Sequence, residues 1–355
     1  MKVLFLSIYN GLVDRGAEVF VKEMAIRCPA EDRALIVQGG PSGNYAFITV
    51  NIGKNYQPNG VSLFWRILRK FYLDPHSLNV MFFTLKSIPT LFQQKPDIVI
   101  AVNGFWQVVV LKILKPILKY KLAISGQAGI GRDDKWNLRL RPDIFFALTS
   151  AQKNWAQGQN KNLLIQKVGN GVDTVKFNFM GNKLKLDLPK PIVLTVAALT
   201  SYKKVDQTIK AVAQTKASLL IVGQGELAKE LSTQASKTLG KKRFKITTYP
   251  HEEMPQVYRG CDLFTLASAS SEAFGIAYLE AMASGLGVVA PDDEIRREII
   301  GKAGVLVDCD DEVKYGEALE EALSKEWVGK SLEQVQKFDW LGQSEKFYDY
   351  LHKIL

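Results

Sequence analysis

Residues Leu263 to Ala290 read LFTLASASSEAFGIAYLEAMASGLGVVA. The apolar run Leu263 to Ala267 gives way to a serine-rich turn, and Ala273 to Ala283 then carries apolar residues at helical spacing. Gly285 and Gly287 lead into a second apolar run, Val288 to Ala290. A strand, a helix and a strand in that order predict a crossover unit, with both strands parallel in one sheet and covered by helices.

The same alternation extends in both directions. Upstream lie predicted strands Ile192 to Ala198, Ser218 to Val222 and Arg243 to Thr248, with helices over Lys203 to about Lys216 and after Gly225; downstream lies a short strand, Gly304 to Val307. The first half repeats the theme: strand Val3 to Ile8, helix Gly16 to Arg27, strand Asp97 to Val102 before a helix from Phe105, and strand Lys121 to Ser125 before a loop. Strand Asp143 to Leu148 then precedes a helix at Ser150, and strand Leu163 to Val168 follows. Between the halves, Lys176 to Pro191 has loop composition, with Asn178, Gly181, Asn182, Pro189 and Pro191. The expectation is an α/β chain of two Rossmann-like domains, residues 1–175 and 176–339. An aromatic-rich helix over about 340–355 is expected to pack back onto the first domain.

Composition fits two such domains. The chain has 355 residues, 47% hydrophobic and 23% charged, which excludes disorder, collagen-like repeats and mucin-like stalks. The uncharged run Ile98 to Leu111 is shorter than the roughly 18 to 20 residues of a membrane-spanning helix. Lys2 and the apolar residues after it lack a small-residue cleavage site, so a buried first strand is expected rather than a signal peptide. Cys28, Cys261 and Cys309 have no metal-ligand spacing and suit a reduced cytoplasm. No metal or cofactor is expected.

Charge is unevenly spread. Residues 1–170 hold 22 Lys and Arg against 10 Asp and Glu, whereas the remainder hold 24 against 26, giving +12 and −2 of the total +10. Two basic segments stand out: Leu63 to Tyr72, with Phe64, Trp65, Arg66, Arg69, Lys70 and Phe71, and Leu111 to Lys121, with Lys112, Lys115, Lys119 and Lys121. They read either as elements lying on an anionic membrane surface or as domain-covering helices whose lysines snorkel outward. Nucleic acid is the less favoured partner, because no zinc finger, helix-turn-helix or single-strand-binding motif accompanies the basic runs.

In parallel sheets, ligands bind beyond the carboxyl ends of strands. Glu272 stands in such a loop and can accept hydrogen bonds from ligand hydroxyls. The amides of Phe274, Gly275 and Ile276 stand at the positive end of a helix and suit an anion. Glu280, two turns on, can hold the hydroxyls of a ribose.

At these residues the chain resembles the retaining glycosyltransferases of family four, with the GT-B fold. Their Glu, seven residues, Glu pattern is similar to Glu272 to Gly285. Gly169-Asn170-Gly171-Val172-Asp173, Arg15-Gly16-Ala17-Glu18, Ile221-Val222-Gly223-Gln224-Gly225 and His251 to Asp262 resemble further family segments in the same order. The resemblance implies two lobes facing across a cleft, and metal-independent transfer of a sugar, with retention, from a nucleoside diphosphate sugar to a glycan or lipid-linked acceptor. It implies catalytic roles for Glu272 and Lys203, donor contacts from Gly16, Gly223, Gly225, Phe274, Gly275, Ile276 and Glu280, and deprotonation of the acceptor by the departing phosphate. Gln127 and Arg132 fall on the acceptor side, Gln127 where relatives carry a histidine. The family arginine ahead of Lys203 is Ala198 here, with Lys204 or Arg132 as candidate substitutes. That departure keeps open a non-catalytic nucleotide-sugar-binding or scaffold role. A cytoplasmic location, peripheral at the inner face of a membrane if the basic segments dock there, completes the expectation.

Overall fold

The computed structural model describes residues 1–51, 63–270 and 272–355. Ser271 of the quoted segment, and the side chains of Leu63 and Arg66 in the basic segment, lie outside the described residues. The chain divides into two compact units, Met1–Asn170 with Trp340–Leu355, and Gly171–Asp339.

The first unit is built on a seven-stranded sheet. Its strands are β1 (Lys2–Ser7), β2 (Arg33–Gln38), β3 (Phe47–Thr49), β4 (Ile98–Ala101), β5 (Lys121–Ser125), β6 (Ile144–Ala147) and β7 (Leu164–Lys167). They lie in the order β3-β2-β1-β4-β5-β6-β7, all parallel, with Val3 opposite Ala34 on one side and Ile98 on the other. β1, β4 and β6 are buried along almost their whole length, which is why they are apolar without alternation. Leu4, Leu6, Val37, Val99, Leu122 and Phe145 form the core under the flanking helices, each fully buried side chain being worth about 1.5–3 kcal/mol.

The carboxyl-terminal helix Trp340–His352 belongs to this unit. Phe347 packs against Phe5, Phe20 and Phe146, and Tyr348 donates to the carbonyl of Met24 at 2.9 Å. Its aromatic richness is therefore core packing.

The second unit carries six parallel strands: β8 (Ile192–Val196), β9 (Ser218–Val222), β10 (Phe244–Thr247), β11 (Leu263–Thr265), β12 (Val288–Pro291) and β13 (Gly304–Val307). Their order is β10-β9-β8-β11-β12-β13. In both units the first strand of the unit sits beside the fourth, so the strand order reverses there, the topology of doubly wound dinucleotide-binding sheets.

Some elements differ from the sequence-based expectation. β2 and β3 are additional strands. The helix expected from Ala273 starts at Ile276, because Gly275 takes φ +94° in the left-handed region and interrupts the helical backbone. The helix expected over 203–216 is Val205–Ala213, preceded by a single 3-10 turn, Ser201–Lys203. The loop after β5 includes the helix Arg132–Arg139. No helix among the described residues is long and apolar enough to cross a membrane.

Candidate functional site

The strand order of the second unit reverses between β8 and β11, which pair directly. Loops leaving their carboxyl ends must diverge to opposite faces, and the gap between them is where ligands settle in such sheets. Lys203 follows β8 and Glu272 follows β11. The two side chains meet: Lys203 Nζ donates to Glu272 Oε2, with both side chains mostly buried. The ammonium also stands 5.1 Å from the ring centre of Tyr202, and Ala269 N donates to Tyr202 O at 2.8 Å, tying the two loops together.

Gly275 is required by its backbone. Besides φ +94°, a Cβ there would approach the Tyr278 ring to 2.7 Å. The turn delivers the chain into the helix Ile276–Ala283, whose first amides lie at its positive end; that of Tyr278 donates to Gly275 O at 3.1 Å, while those of Ile276 and Ala277 have no partner within the helix. Phe274 is buried and packs edge-on against Phe338. One turn into the helix, Glu280 is partly buried and accepts from Tyr258 Oη at 2.8 Å through Oε2. Burial pushes its carboxyl up to about 7, against the lowering effects of Tyr258 and of the Lys176 charge.

Gly223 and Gly225 owe their identity to packing. A Cβ at Gly223 would lie 1.9 Å from Ala197 O, and one at Gly225 would lie 2.4 Å from Leu199 O. The turn after β9 thus presses on the loop after β8, joined by Leu199 N to Gln224 O at 2.9 Å. In that loop Ala198 is exposed. Lys204, considered as a substitute for the family arginine, pairs with Asp310 at 2.6 Å.

One functional side chain escaped the sequence reading. Arg296 is fully buried on the helix Glu294–Ile300. Its Nη1 meets Asp293 Oδ2 at 3.0 Å, while Nη2 donates to Ser268 Oγ at 2.9 Å and Ala269 O at 3.0 Å. Ala269 O also accepts from Glu272 N at 2.9 Å. The guanidinium therefore grips the loop that carries Glu272 from beneath. A signal existed: Arg296 stands three and four residues before Ile299 and Ile300, on the apolar arc of its helix, whereas Arg297 beside it is exposed and pairs with Asp292.

In the first unit, Gly16 opens the helix Gly16–Ile26 after β1. Gln127 follows β5, bonding Ser125 Oγ at 3.0 Å and exchanging amide contacts with Asn170 at 3.4 Å. Arg132 is engaged inside its own unit: it donates to the carbonyls of Arg69 and Lys70 and stacks 4.5 Å over Tyr72. Asp134 underpins the same loop, buried between Asn137 and Gln152, and burial pushes its carboxyl up to about 8.

Fold and site define a two-unit α/β protein of the GT-B type. Residues 177–338 match the family model described as glycosyl transferases group 1. Among curated proteins, the chain is similar to a phosphatidyl-myo-inositol mannosyltransferase of Mycolicibacterium smegmatis, 37% identical over 95 residues, 26% of this chain and 24% of that protein. It is also similar to a D-inositol 3-phosphate glycosyltransferase of Corynebacterium urealyticum, 36% identical over 101 residues, 28% of this chain and 22% of that protein. The matched region spans about a quarter of the length of these relatives. Among solved structures, Anabaena Alr3699/HepE in complex with UDP and glucose superposes with a TM-score of 0.75 at 19% identity, covering 99% of both chains. Sucrose-phosphate synthase from Thermosynechococcus elongatus gives 0.79 at 17% identity, covering 99% of this chain and 98% of that one. At these identities the likeness is one of fold.

Proposed function

We propose that the protein is a retaining glycosyltransferase that moves a sugar from a nucleoside diphosphate sugar to a glycan or lipid-linked acceptor without a metal. The observation that carries this reading is the Lys203 and Glu272 pair at the strand-order reversal, Glu272 in the loop that leads into the helix starting at Ile276. A diphosphate leaving without a metal needs fixed positive charge aimed at its oxygens, and Lys203 together with the amides at the start of that helix supplies it. With donor bound, the pair opens: the ammonium meets phosphate oxygens, and the carboxylate meets sugar hydroxyls and the positive charge growing at the anomeric carbon. Glu280 keeps Oε1 for the ribose while Tyr258 holds Oε2. The bond from the anomeric carbon to phosphate oxygen breaks, the acceptor oxygen bonds to that carbon on the same face, and its proton passes to the departing phosphate. The match of residues 177–338 to the glycosyl transferases group 1 model, and the similarity of part of the chain to a mannosyltransferase and a glycosyltransferase, support this assignment.

Glu272→Ala is expected to abolish transfer and, because it leaves the mostly buried Lys203 ammonium without its partner, to lower the melting midpoint without preventing folding; undiminished transfer by that variant would remove Glu272 from the mechanism. A second reading, a nucleotide-sugar-binding or scaffold protein without turnover, is favoured by one feature: Ala198 stands exposed where the resembling family has an arginine, and Lys204 is committed to Asp310. Ala198→Arg separates the two. A gain in rate is expected for an enzyme short of one donor, which can cost about 10²–10³-fold elsewhere, and no turnover in either form would leave the scaffold reading.

A further inference from the structure

Only one of the two carboxyl oxygens of Glu280 is held by the protein. Tyr258 Oη donates to Oε2 at 2.8 Å, whereas Oε1 accepts no hydrogen bond among the described residues and the side chain stays partly exposed. The terminal torsion of a glutamate is soft and turns the carboxyl about its own axis. Which oxygen faces a ligand, and at what angle, therefore depends on what holds the other.

Tyr258 is itself closely held. It lies on the helix Met254–Gly260 with its side chain fully buried. Its ring centre stands 6.0 Å from that of Phe264 on β11, and 5.9 Å from that of Phe177 at an interplanar angle of 75°. Burial and the neighbouring Glu280 charge raise the phenol well above its ordinary value, so the hydroxyl keeps its proton and remains a donor.

Phe177 is delivered by a turn that Asp173 closes. Asp173 Oδ1 accepts from Val175 N at 3.0 Å and from Lys176 N at 2.9 Å, and its carbonyl accepts from Phe177 N at 2.8 Å. Three successive amides are thus captured by one residue, as in other aspartate turns. Val172 N donates to Phe338 O at 2.9 Å and fixes where the turn begins. Phe177, buried, also packs 5.5 Å from the ring of His251. A continuous set of contacts therefore runs from Asp173 through Phe177 and Tyr258 to Glu280, and gives the Gly171-Val172-Asp173 segment a task in the second unit.

We propose that Tyr258 is a positioning residue for Glu280, steadied by Phe177 and the Asp173 turn, and that it sets the preference of the second unit for ribonucleotides over deoxyribonucleotides. The inference rests on the reading of Glu280 as the ribose contact. With Oε2 occupied, Oε1 accepts from a ribose hydroxyl in a fixed direction, and hydrogen bonds to a carboxylate are of the stronger kind. Without the Tyr258 hydroxyl the carboxyl turns and that bond weakens, while the contacts to base and diphosphate, made by other groups, remain.

The test is calorimetric titration of the full chain with UDP, GDP and ADP, and with the 2′-deoxy and 3′-deoxy forms of whichever binds. The wild-type protein is expected to prefer the ribonucleotide to at least one deoxy form by about tenfold or more. Tyr258→Phe removes only the hydroxyl and should reduce that preference to within about threefold, by weakening the ribonucleotide while the deoxy form binds as before. Asp173→Ala should reduce it as well, and Asp173→Asn, which keeps the side-chain acceptor, should restore it.

An undiminished preference in Tyr258→Phe, or an equal loss of affinity for both forms, would overturn the proposal, the second result reducing Tyr258 to packing. If Tyr258→Phe does not fold, the Asp173 pair decides: no loss of preference in Asp173→Ala, or the same loss in Asp173→Asn, would overturn it. A wild-type protein that binds one of the three nucleotides without preferring the ribose form loses this inference and keeps the glycosyltransferase reading. One that binds none of them loses both.

Discussion

Replacing Arg296 by methionine tests whether a buried charge holds the loop that carries Glu272. Methionine keeps an unbranched apolar stem of similar length, so the change removes the guanidinium and little packing. Four bonds vanish, to Asp293 Oδ2, Ser268 Oγ, Ala269 O and, at 3.5 Å, Ser268 O. A hydrogen bond from a charged group contributes about 1.5–3 kcal/mol, but the three closest partners here retain compensation. The Asp293 side chain is 26% exposed and still caps its helix through Arg296 N, Ala269 O keeps the Glu272 amide, and Ser268 Oγ keeps Tyr278 Oη at 3.4 Å. The loss should therefore fall near the low end of the 3–5 kcal/mol typical when one partner of a buried pair is removed, about 3 kcal/mol. At roughly 2–4 °C per kcal/mol for a unit of this size, that is about 6–12 °C in the melting midpoint by calorimetry. Transfer should fall by about 10²-fold if the freed loop moves Glu272 by an ångström. Arg297→Ala, on the same helix but exposed, should change neither quantity. A methionine variant that melts within about 2 °C of the parent with unchanged kcat/KM would refute the reasoning, since buried ion pairs are sometimes replaced by apolar groups without loss.

Glu280 holds its proton in the folded protein up to about 7, while an unfolded glutamate releases it near about 4.3. The folded state thus binds more protons across that interval, and this group's contribution to stability falls as pH rises through it; Glu280→Gln should flatten that part of the stability profile, read by denaturant titration from pH 4.5 to 8. Asp134 behaves alike over a window reaching about 8. Asp134→Asn, nearly isosteric with the neutral acid, should melt with the parent only near or below about pH 4, where unfolded aspartate also holds its proton, and increasingly above it as pH rises toward about 8. Gly223→Ala would force a Cβ to 1.9 Å from Ala197 O at φ +155° and should destabilise the second unit by about 2 kcal/mol or more; a midpoint unchanged in urea would mean that the turn yields.

The sheets were legible because their strands are buried on both faces and so read as unbroken apolar runs, as in Val3 to Ile8 and Ile98 to Ala101. β3 was not, being three residues long on the outside of the sheet, and β2 escaped because it begins with the exposed Arg33 and the half-buried Ala34 and Leu35. The helix over Arg132–Arg139 was hidden by its polarity, since only Asp134, Asn137 and Leu138 turn inward. At the site, Glu272 and Lys203 could be named from loop position and family resemblance, but their meeting across 69 residues is a product of strand order. Gly223 and Gly225 were read for ligand contact, whereas their close approach to Ala197 and Leu199 accounts for both glycines by packing alone. Arg296 was missed because two adjacent arginines look alike in sequence until helical phase decides which is buried.

The measurement that bears most directly on the account is nucleotide binding by the wild-type protein and by Lys203→Ala, followed by thermal shift across UDP, GDP, ADP and their sugar conjugates. A ligand at 100 times its dissociation constant adds about 2.7 kcal/mol to the folded state, or roughly 5–10 °C here. The account predicts a shift of that size with one base, lost in Lys203→Ala when each protein's shift is taken from its own nucleotide-free midpoint. A shift of equal size in both proteins, or none with any nucleotide in either, would contradict the assignment of Lys203 and its partner Glu272 to the diphosphate sugar.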